Sequence, residues 1–172
     1  AERYIRSGRV IYTDAKRETP LPVPFDKDTA VIHKIIVAHG AKEACERASP
    51  QNIYGSLAIS YTEIDGGPTI PFHVQIDRHK PVHIFDSHNM HIVFRELDTV
   101  SDFSAYLNEK TRAATTFDYL SYCGEEDLLG HYLLNYDGAT KRHVIGPRGD
   151  GGRNINGVLV GEGEWHDFVQ TD

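Results

Sequence analysis

Residues 97–138 read LDTVSDFSAYLNEKTRAATTFDYLSYCGEEDLLGHYLLNYDG, and this stretch decides how the chain folds. Residues 99–102 form a capping box, in which a hydroxyl and a carboxylate satisfy free backbone N–H groups at a helix start. Apolar residues then repeat along one helical face, at Val100, Phe103, Tyr106 and Leu107. Residues 117–122 predict a strand, and the acidic residues 125–127 lie where a helix start favours negative charge. The stretch therefore predicts a helix, a strand and a second helix that ends at Gly138.

The residues on either side of this stretch supply most of the strands. Strand candidates lie at residues 4–12, 53–64, 70–76, 82–85, 91–97 and 158–160. A helix is predicted over residues 28–49, with Asp28 or Thr29 as its cap, and a short last helix carries Trp165, Phe168 and Val169. Because the strands come in a run, the order predicts an α+β fold in which helices pack against a mixed, mostly antiparallel sheet.

Length and composition predict one globular α+β domain over residues 1–172. The chain is 40% hydrophobic and 25% charged, which is typical of a folded domain of this size. It begins with Ala1, its only methionine is Met90, and its last helix stops without a Gly or Pro signal. We therefore expect it to be a fragment of a longer chain.

Charge and cysteine content restrict the possible partners and the cellular compartment of the chain. The net charge is -7, which disfavours nucleic-acid binding over most of the surface. Cys45 and Cys123 are too few for a disulfide framework, and no apolar run reaches the length of a membrane span. These features predict a cytoplasmic chain with no membrane contact, whose partner is the remainder of its own chain or another protein.

The centre of the chain is rich in histidine and carboxylate side chains, which are common metal ligands. The metal-ligand candidates there are His83, Asp86, His88 and His91. Their spacing matches no recurrent metal site, so the alternative is a set of solvated histidines on a hairpin.

The order of elements over residues 28–122 resembles the core of restriction-endonuclease-like nucleases. In that family an Asp and a Glu from neighbouring strands hold a divalent metal that activates water. The resemblance implies Asp86, Glu96 and Asp98 as catalytic candidates, with Mg²⁺ or Mn²⁺ as the cofactor. The chain departs from the family because Asp98 stands where the pattern has a lysine. The alternative is that Asp86 starts a turn and Asp98 leads into a helix.

The loop at residues 141–153 combines glycines with basic side chains. Its arginines, Arg142, Arg148 and Arg153, are anion-binding candidates, because glycines let a backbone approach a phosphate closely. The loop lacks the Gly-Lys-Ser/Thr of a P-loop, and a solvated loop over residues 146–157 is the alternative.

A second resemblance covers residues 50–170 in short motifs. Residues 97–103, 106–107 and 124–129 are similar to stretches of a bacterial family of longer proteins that has no assigned activity. Two functions therefore stay open. The first is a non-catalytic interaction or accessory domain of a larger bacterial protein, for which no cofactor is expected. The second is a divalent-metal-dependent nuclease or phosphoester hydrolase.

Overall fold

The computed structural model describes residues 2–24, 26–48, 57–63, 70–147 and 156–171. The chain divides into two compact units, Ala1–His33 and Lys34–Asp172, called unit 1 and unit 2 below. The prediction of a single domain over residues 1–172 stays a prediction.

Unit 1 begins with a short helix. Helix α1 spans Glu2–Arg6, has no buried residue, and carries an ion pair between its first and last residues with 3.9 Å from Oε1 to Nε. Gly8, at a φ of 69°, ends the helix by donating its N–H to the carbonyl of Ile5. The predicted strand at residues 4–12 is therefore wrong, because its apolar residues alternate too loosely to specify an extended backbone.

Unit 2 contains the remaining elements. Its described strands are β1 (Ile35–Ala38), β2 (Ala58–Thr62), β3 (His73–Asp77), β4 (His83–Asp86), β5 (Tyr119–Cys123), β6 (Tyr136–Asp137), β7 (Arg142–His143) and β8 (Gly157–Val160). The helices in the described part of unit 2 are α2 (Ala41–Ala48), α3 (Asn89–Glu96), α4 (Val100–Thr116), α5 (Glu125–Leu134) and α6 (Glu164–Thr171). None of these described helices combines the length and the apolarity that crossing a membrane requires.

A four-stranded sheet in the order β3-β2-β5-β8 forms the centre of unit 2. The β2–β3 and β5–β8 pairs are parallel, and the β2–β5 pair is antiparallel. Strands β1 and β4 form a separate parallel pair, and β6 and β7 form a short antiparallel hairpin. The predicted α+β class with a mixed sheet is confirmed, whereas the expected antiparallel majority is not found among the described strands of the four-stranded sheet.

One face of this sheet forms the core with the helices. Strand side chains alternate between faces, so every second residue points to the same side. The core includes Tyr61, Leu120 and Val158 from the sheet, and it also includes apolar residues of α3, α4 and α5. On the opposite face, Leu159 is 74% exposed. Burial of this apolar face orders the three helices against the sheet.

The predicted elements around residues 99–134 are confirmed. Helix α4 starts at the expected cap, where the Asp102 N–H donates to Thr99 Oγ1 over 3.0 Å. Strand β5, helix α5 and the last helix α6 also lie where the sequence predicts them. Helix α5 ends at Leu134 instead of Gly138, because the chain turns at Asn135 into the β6–β7 hairpin.

Two other segments have a different structure from the one predicted. The helix predicted over residues 28–49 is β1 followed by α2, because Ile35, Ile36 and Val37 favour a strand and Gly40 takes a φ of 73° between the elements. The strand predicted over residues 91–97 belongs to α3. A short apolar run fits either structure, and here the helix buries Val93 and Leu97 at helical spacing.

Candidate functional site

Three consecutive acidic residues at the start of α5 connect different parts of unit 2. Glu125, Glu126 and Asp127, called the acidic turn below, follow Gly124, whose φ of 92° turns the chain from β5 into the helix. Successive residues of an α-helix point about 100° apart around its axis. The three carboxylates therefore reach three different environments.

Glu125 points into the core and forms a buried ion pair. Its Oε1 and Oε2 atoms accept hydrogen bonds from Lys110 Nζ over 2.7 and 2.6 Å, and the two side chains are 1% and 0% exposed. The hydroxyls of Tyr106 and Tyr122 donate to the same carboxylate over 2.6 and 3.1 Å. Burial lowers the pKa of Lys110, and the Glu125 carboxylate opposes that change. With both charges surrounded by partners, this cluster has the character of a structural core network.

Glu126 and Asp86 meet at Asn89, in the first turn of α3. The Asn89 side-chain amide donates to Glu126 Oε2 and to Asp86 Oδ2, each over 3.2 Å. Asp86 Oδ1 also accepts the backbone N–H groups of His88 and Asn89 over 2.7 and 2.8 Å. The Asp86 carboxylate thus satisfies backbone donors at the start of a helix, as a capping residue does.

Asp127 holds the start of α6. Its Oδ1 atom accepts the backbone N–H groups of Gly163 and Trp165, each over 3.0 Å. The residue is only 5% exposed, and no described residue donates to its Oδ2 atom. Burial raises the pKa of Asp127 to about 6, against the two hydrogen bonds that lower it, and the charges of Glu126 and Glu162 raise it further.

Gly130 sets the distance between α5 and α6. A Cβ atom at this position would lie 2.6 Å from the carbonyl oxygen of Glu164 and 2.7 Å from the backbone nitrogen of Trp165. The two helices can pack this closely only because residue 130 has no side chain. The close contact fixes the position of Trp165, the only tryptophan of the chain.

A cavity of about 520 Å³ lies between α2, α3, α5 and α6. Its lining includes four carboxylate residues, Glu46, Glu126, Asp127 and Asp167. It also includes Lys42, two histidines, His88 and His166, and the apolar side chains of Ile92 and Trp165. A volume of this size fits a small organic ligand or one long side chain.

The cavity carries a negative net charge. Lys42 Nζ lies 3.2 Å from His88 Nε2, and because an ammonium can only donate, this imidazole nitrogen accepts. His166 Nε2 accepts in the same way from the Gln170 side-chain amide over 2.7 Å. Four carboxylates therefore face a single lysine in the lining of the cavity.

The candidate catalytic and metal residues of the sequence are not brought together in one site. Glu96 accepts from Arg95 Nε over 2.9 Å, Asp98 is exposed, and Asp86 caps α3. His83 is buried in β4, with Nε2 3.3 Å from Thr111 Oγ1. His91 is exposed on α3, and His88 lines the cavity. The described ranges contain no group of three or more His, Cys, Asp or Glu residues that could hold a metal ion.

The anion-binding candidates are only partly described. Arg142 is exposed in β7, whereas Arg148 and Arg153 lie outside the described residues, as does most of the predicted loop at 146–157. Anion binding by these arginines stays a prediction.

Sequence reasoning missed the two residues that define the cavity, Asp127 and Trp165. Both carry signals that the sequence shows, an acidic helix start and an apolar stripe, and each signal has a local explanation. Gly130 is the further clue, because a glycine inside a helical pattern often marks a close contact with another backbone.

A scan against protein-family models, a search of curated proteins and a search of solved structures each found no match to this chain.

Proposed function

We propose that unit 2 is a binding module, and that its ligand enters the cavity between α2, α3, α5 and α6. The observation that carries this proposal is the Asp127 carboxylate, which is 5% exposed and has one oxygen without a described donor. Burying an ionised carboxylate costs free energy, and the two backbone hydrogen bonds of Asp127 recover only part of that cost. A ligand that supplies the missing donor recovers part of that cost, so the site favours binding.

The chemistry of the lining is consistent with a binding site. Among the described residues that line the cavity there is no Ser, Thr, Cys or Tyr to act as a nucleophile. Burial raises the pKa of Asp127 toward neutrality, and the two histidines accept hydrogen bonds from Lys42 and Gln170. The site thus supports the interaction or accessory function expected from the sequence, with the remainder of the chain or another protein as its proposed partner.

Trp165 provides the experiment that tests this proposal. It lies in the cavity and is the only tryptophan, so its emission reports on this site alone. We expect a panel of small cationic, neutral and anionic compounds to contain at least one class that changes this emission and raises Tm, because a ligand of the folded state stabilises it. Ile92→Phe, which narrows the cavity, is expected to weaken both effects.

Val100→Phe is the matched control, since Val100 is 85% exposed and lies outside the cavity lining. If no compound changes the emission, or if the Ile92→Phe variant binds as well as the wild type, the proposal is wrong.

The second candidate, a metal-dependent nuclease or phosphoester hydrolase built on Asp86, Glu96 and Asp98, has its own test. Since Asp86 already accepts three hydrogen bonds from His88 and Asn89, we expect millimolar Mg²⁺ or Mn²⁺ to leave Tm unchanged in the wild type and in Asp86→Asn. A rise in the wild type that the Asn variant abolishes would instead support the nuclease.

A further inference from the structure

We infer that the ligand of this cavity is an organic cation, an alkylammonium or alkylguanidinium group whose charge pairs with Asp127 and whose alkyl chain packs against Trp165. The inference rests on the proposed binding function and names the class of ligand. It applies both to a free small molecule and to a lysine or arginine side chain, because the two present the same chemistry.

The first observation in favour of a cation is the charge of the residues that line the cavity. Four carboxylates outnumber the single lysine in the lining, namely Glu46, Glu126, Asp127 and Asp167. An anionic ligand would enter against this field, whereas a cation is attracted by it. The negative charge of the lining therefore favours a cationic ligand over an anionic one.

The second observation in favour of a cation is the position of the Asp127 carboxylate. Its Oδ1 atom is occupied by the start of α6, while Oδ2 has no described donor in a residue that is 5% exposed. A charged N–H donor is the strongest partner for such an oxygen, and both ammonium and guanidinium groups supply one. The Oδ2 atom of Asp127 is therefore the proposed partner of the cationic end.

The shape of the site distinguishes an organic cation from a metal ion. A metal ion needs several ligand atoms around one point, and the described residues contain no group of three or more suitable side chains. The carboxylates are instead spread over a cavity of about 520 Å³, whose walls also include Ile92 and Trp165. An indole face attracts a cation, and apolar walls receive an alkyl chain. The cavity thus matches a ligand with both parts.

Proton binding at Asp127 competes with the cation. The charged and titratable groups around this residue come from all the neighbouring elements. They are Cys123 on β5, Glu126 on its own helix, Glu162 before α6, Lys42 and Glu46 on α2, His88 before α3, and His166 and Asp167 on α6. Because burial raises the pKa of Asp127 to about 6, a growing fraction of the carboxyl is neutral below that pH. Affinity for a cation is therefore expected to fall as the pH decreases through 6.

The test compares three compounds of the same length, n-butylamine, 1-butanol and butyrate, with the full chain at neutral pH. Binding is followed by Trp165 emission and by calorimetry. We expect only the protonated amine to bind, and we expect Asp127→Asn to weaken it about tenfold or more, the loss typical of removing one partner of a buried charge pair. Asp98→Asn, at an exposed position outside the cavity, is the matched control and is expected to bind like the wild type.

Glu46→Gln is a second variant, which removes one negative charge from the cavity and keeps the hydrogen bonds between Asp127 and the start of α6. We expect it to weaken the binding of n-butylamine several-fold. A short peptide with one arginine, compared with the same peptide carrying glutamine, distinguishes a protein source from a small-molecule source. Tighter binding of the arginine peptide than of the amine supports a side-chain ligand, and the reverse order supports a free cation.

The outcomes separate this inference from the proposed function. If the alcohol or butyrate binds as well as the amine, or if Asp127→Asn and Glu46→Gln bind the amine like the wild type, the cation inference is overturned and the binding function stands. If no compound of any charge binds, the proposed function fails, and the inference fails with it.

Discussion

At the scale of single residues, the acidic turn shows how the environment separates chemically similar side chains. Glu125 lies against a lysine ammonium inside the core, and Glu126 accepts from the Asn89 amide at the first turn of α3. Asp127 satisfies the first turn of α6 and lines a cavity. Residue type alone predicts a favourable helix start for all three, and only their tertiary partners assign them different roles.

The first prediction concerns the buried ion pair. Replacing Lys110 with Met leaves the Glu125 charge in the core with only tyrosine donors, and this is expected to lower the free energy of unfolding by about 3–5 kcal/mol. The double variant Lys110→Met/Glu125→Gln is expected to lose less than Lys110→Met alone, because the two sites share one interaction. Urea denaturation at neutral pH measures both.

Lys80→Met is the control for this prediction, since the Lys80 side chain is 80% exposed beside Asp77. Exposed pairs of this kind contribute less than about 1 kcal/mol. Equal stabilities of the Lys110→Met and Lys80→Met variants would contradict a stabilising role for the core network.

The second prediction concerns Asp127 and pH. The pKa of Asp127 rises from 3.8 to about 6 on folding, so the folded chain binds more protons than the unfolded chain between these values. Ionisation of Asp127 therefore lowers the free energy of unfolding progressively as the pH rises through this window. Above the window the loss is constant. Asp127→Asn keeps an oxygen acceptor for α6 and removes the charge. We expect it to match the wild type near pH 4 and to be more stable above pH 6, by about 2 kcal/mol.

Urea denaturation across this pH range measures the difference in the free energy of unfolding. A difference that does not change with pH would show that Asp127 acts only through its hydrogen bonds.

At the scale of elements, long segments with clear ends are predictable, and short apolar segments are not. Helix α4 has both a cap at Thr99 and apolar residues on one face, so local chemistry and periodicity agree. Helix α3 has eight residues, and its apolar run of Ile92, Val93 and Phe94 fits a strand equally well. Only the hydrogen bonds that Asp86 accepts at the helix start distinguish the two structures. The helix predicted over residues 28–49 is wrong for the same reason. Most of its apolar residues belong to two short elements, β1 and α2, with Gly40 between them.

The candidate site was less predictable than the elements, for a reason that is also physical. The lining residues come from four helices that are far apart in the sequence, and no local pattern specifies that α6 packs on α5. The carboxylates and histidines chosen from the sequence lie close together along the chain, where caps and turns account for residues such as Asp86.

The third prediction concerns the contact between α5 and α6. In an exposed helix, replacing glycine with alanine stabilises the chain by about 1 kcal/mol, because alanine has the higher helix propensity. At Gly130 the added Cβ would meet backbone atoms of Glu164 and Trp165. We therefore expect Gly130→Ala to destabilise the chain by about 1–3 kcal/mol, as overpacking does, and to change Trp165 emission.

Gly161→Ala is the matched control, since, apart from its chain neighbours, no atom of the described residues lies within 4 Å of its added Cβ. Thermal denaturation followed by tryptophan emission measures both variants. A Gly130→Ala variant as stable as the control would mean that α6 can move away from α5 at little cost.

At the scale of the whole molecule, the described core and cavity lie within one unit. Every residue of the hydrophobic core cluster, and every residue that lines the cavity, belongs to Lys34–Asp172. Unit 1 has its own internal contacts, such as the hydrogen bond from the Tyr4 hydroxyl to the Val10 carbonyl. The layered α+β architecture is therefore a property of unit 2.

The fourth prediction follows from this division. A chain that begins at Lys34 is expected to unfold in one cooperative transition and to keep the Trp165 emission of the full chain, because it retains the whole described core. Circular dichroism and emission, recorded during the same thermal scan, test whether the two transitions coincide. Loss of cooperative unfolding would show that unit 1 is needed to stabilise unit 2.

The acidic turn has a consequence for how this chain can change in length during evolution. Inserting or deleting one residue between Gly124 and Leu128 would rotate part of the turn by about 100° relative to the rest. Such a frame shift would separate Glu125 from Lys110 and Asp127 from the backbone of Trp165 in a single event. Substitutions can alter these contacts one at a time, whereas a change in length disrupts them together. Relatives that share this fold are therefore expected to vary in residue type at this junction and to conserve its length.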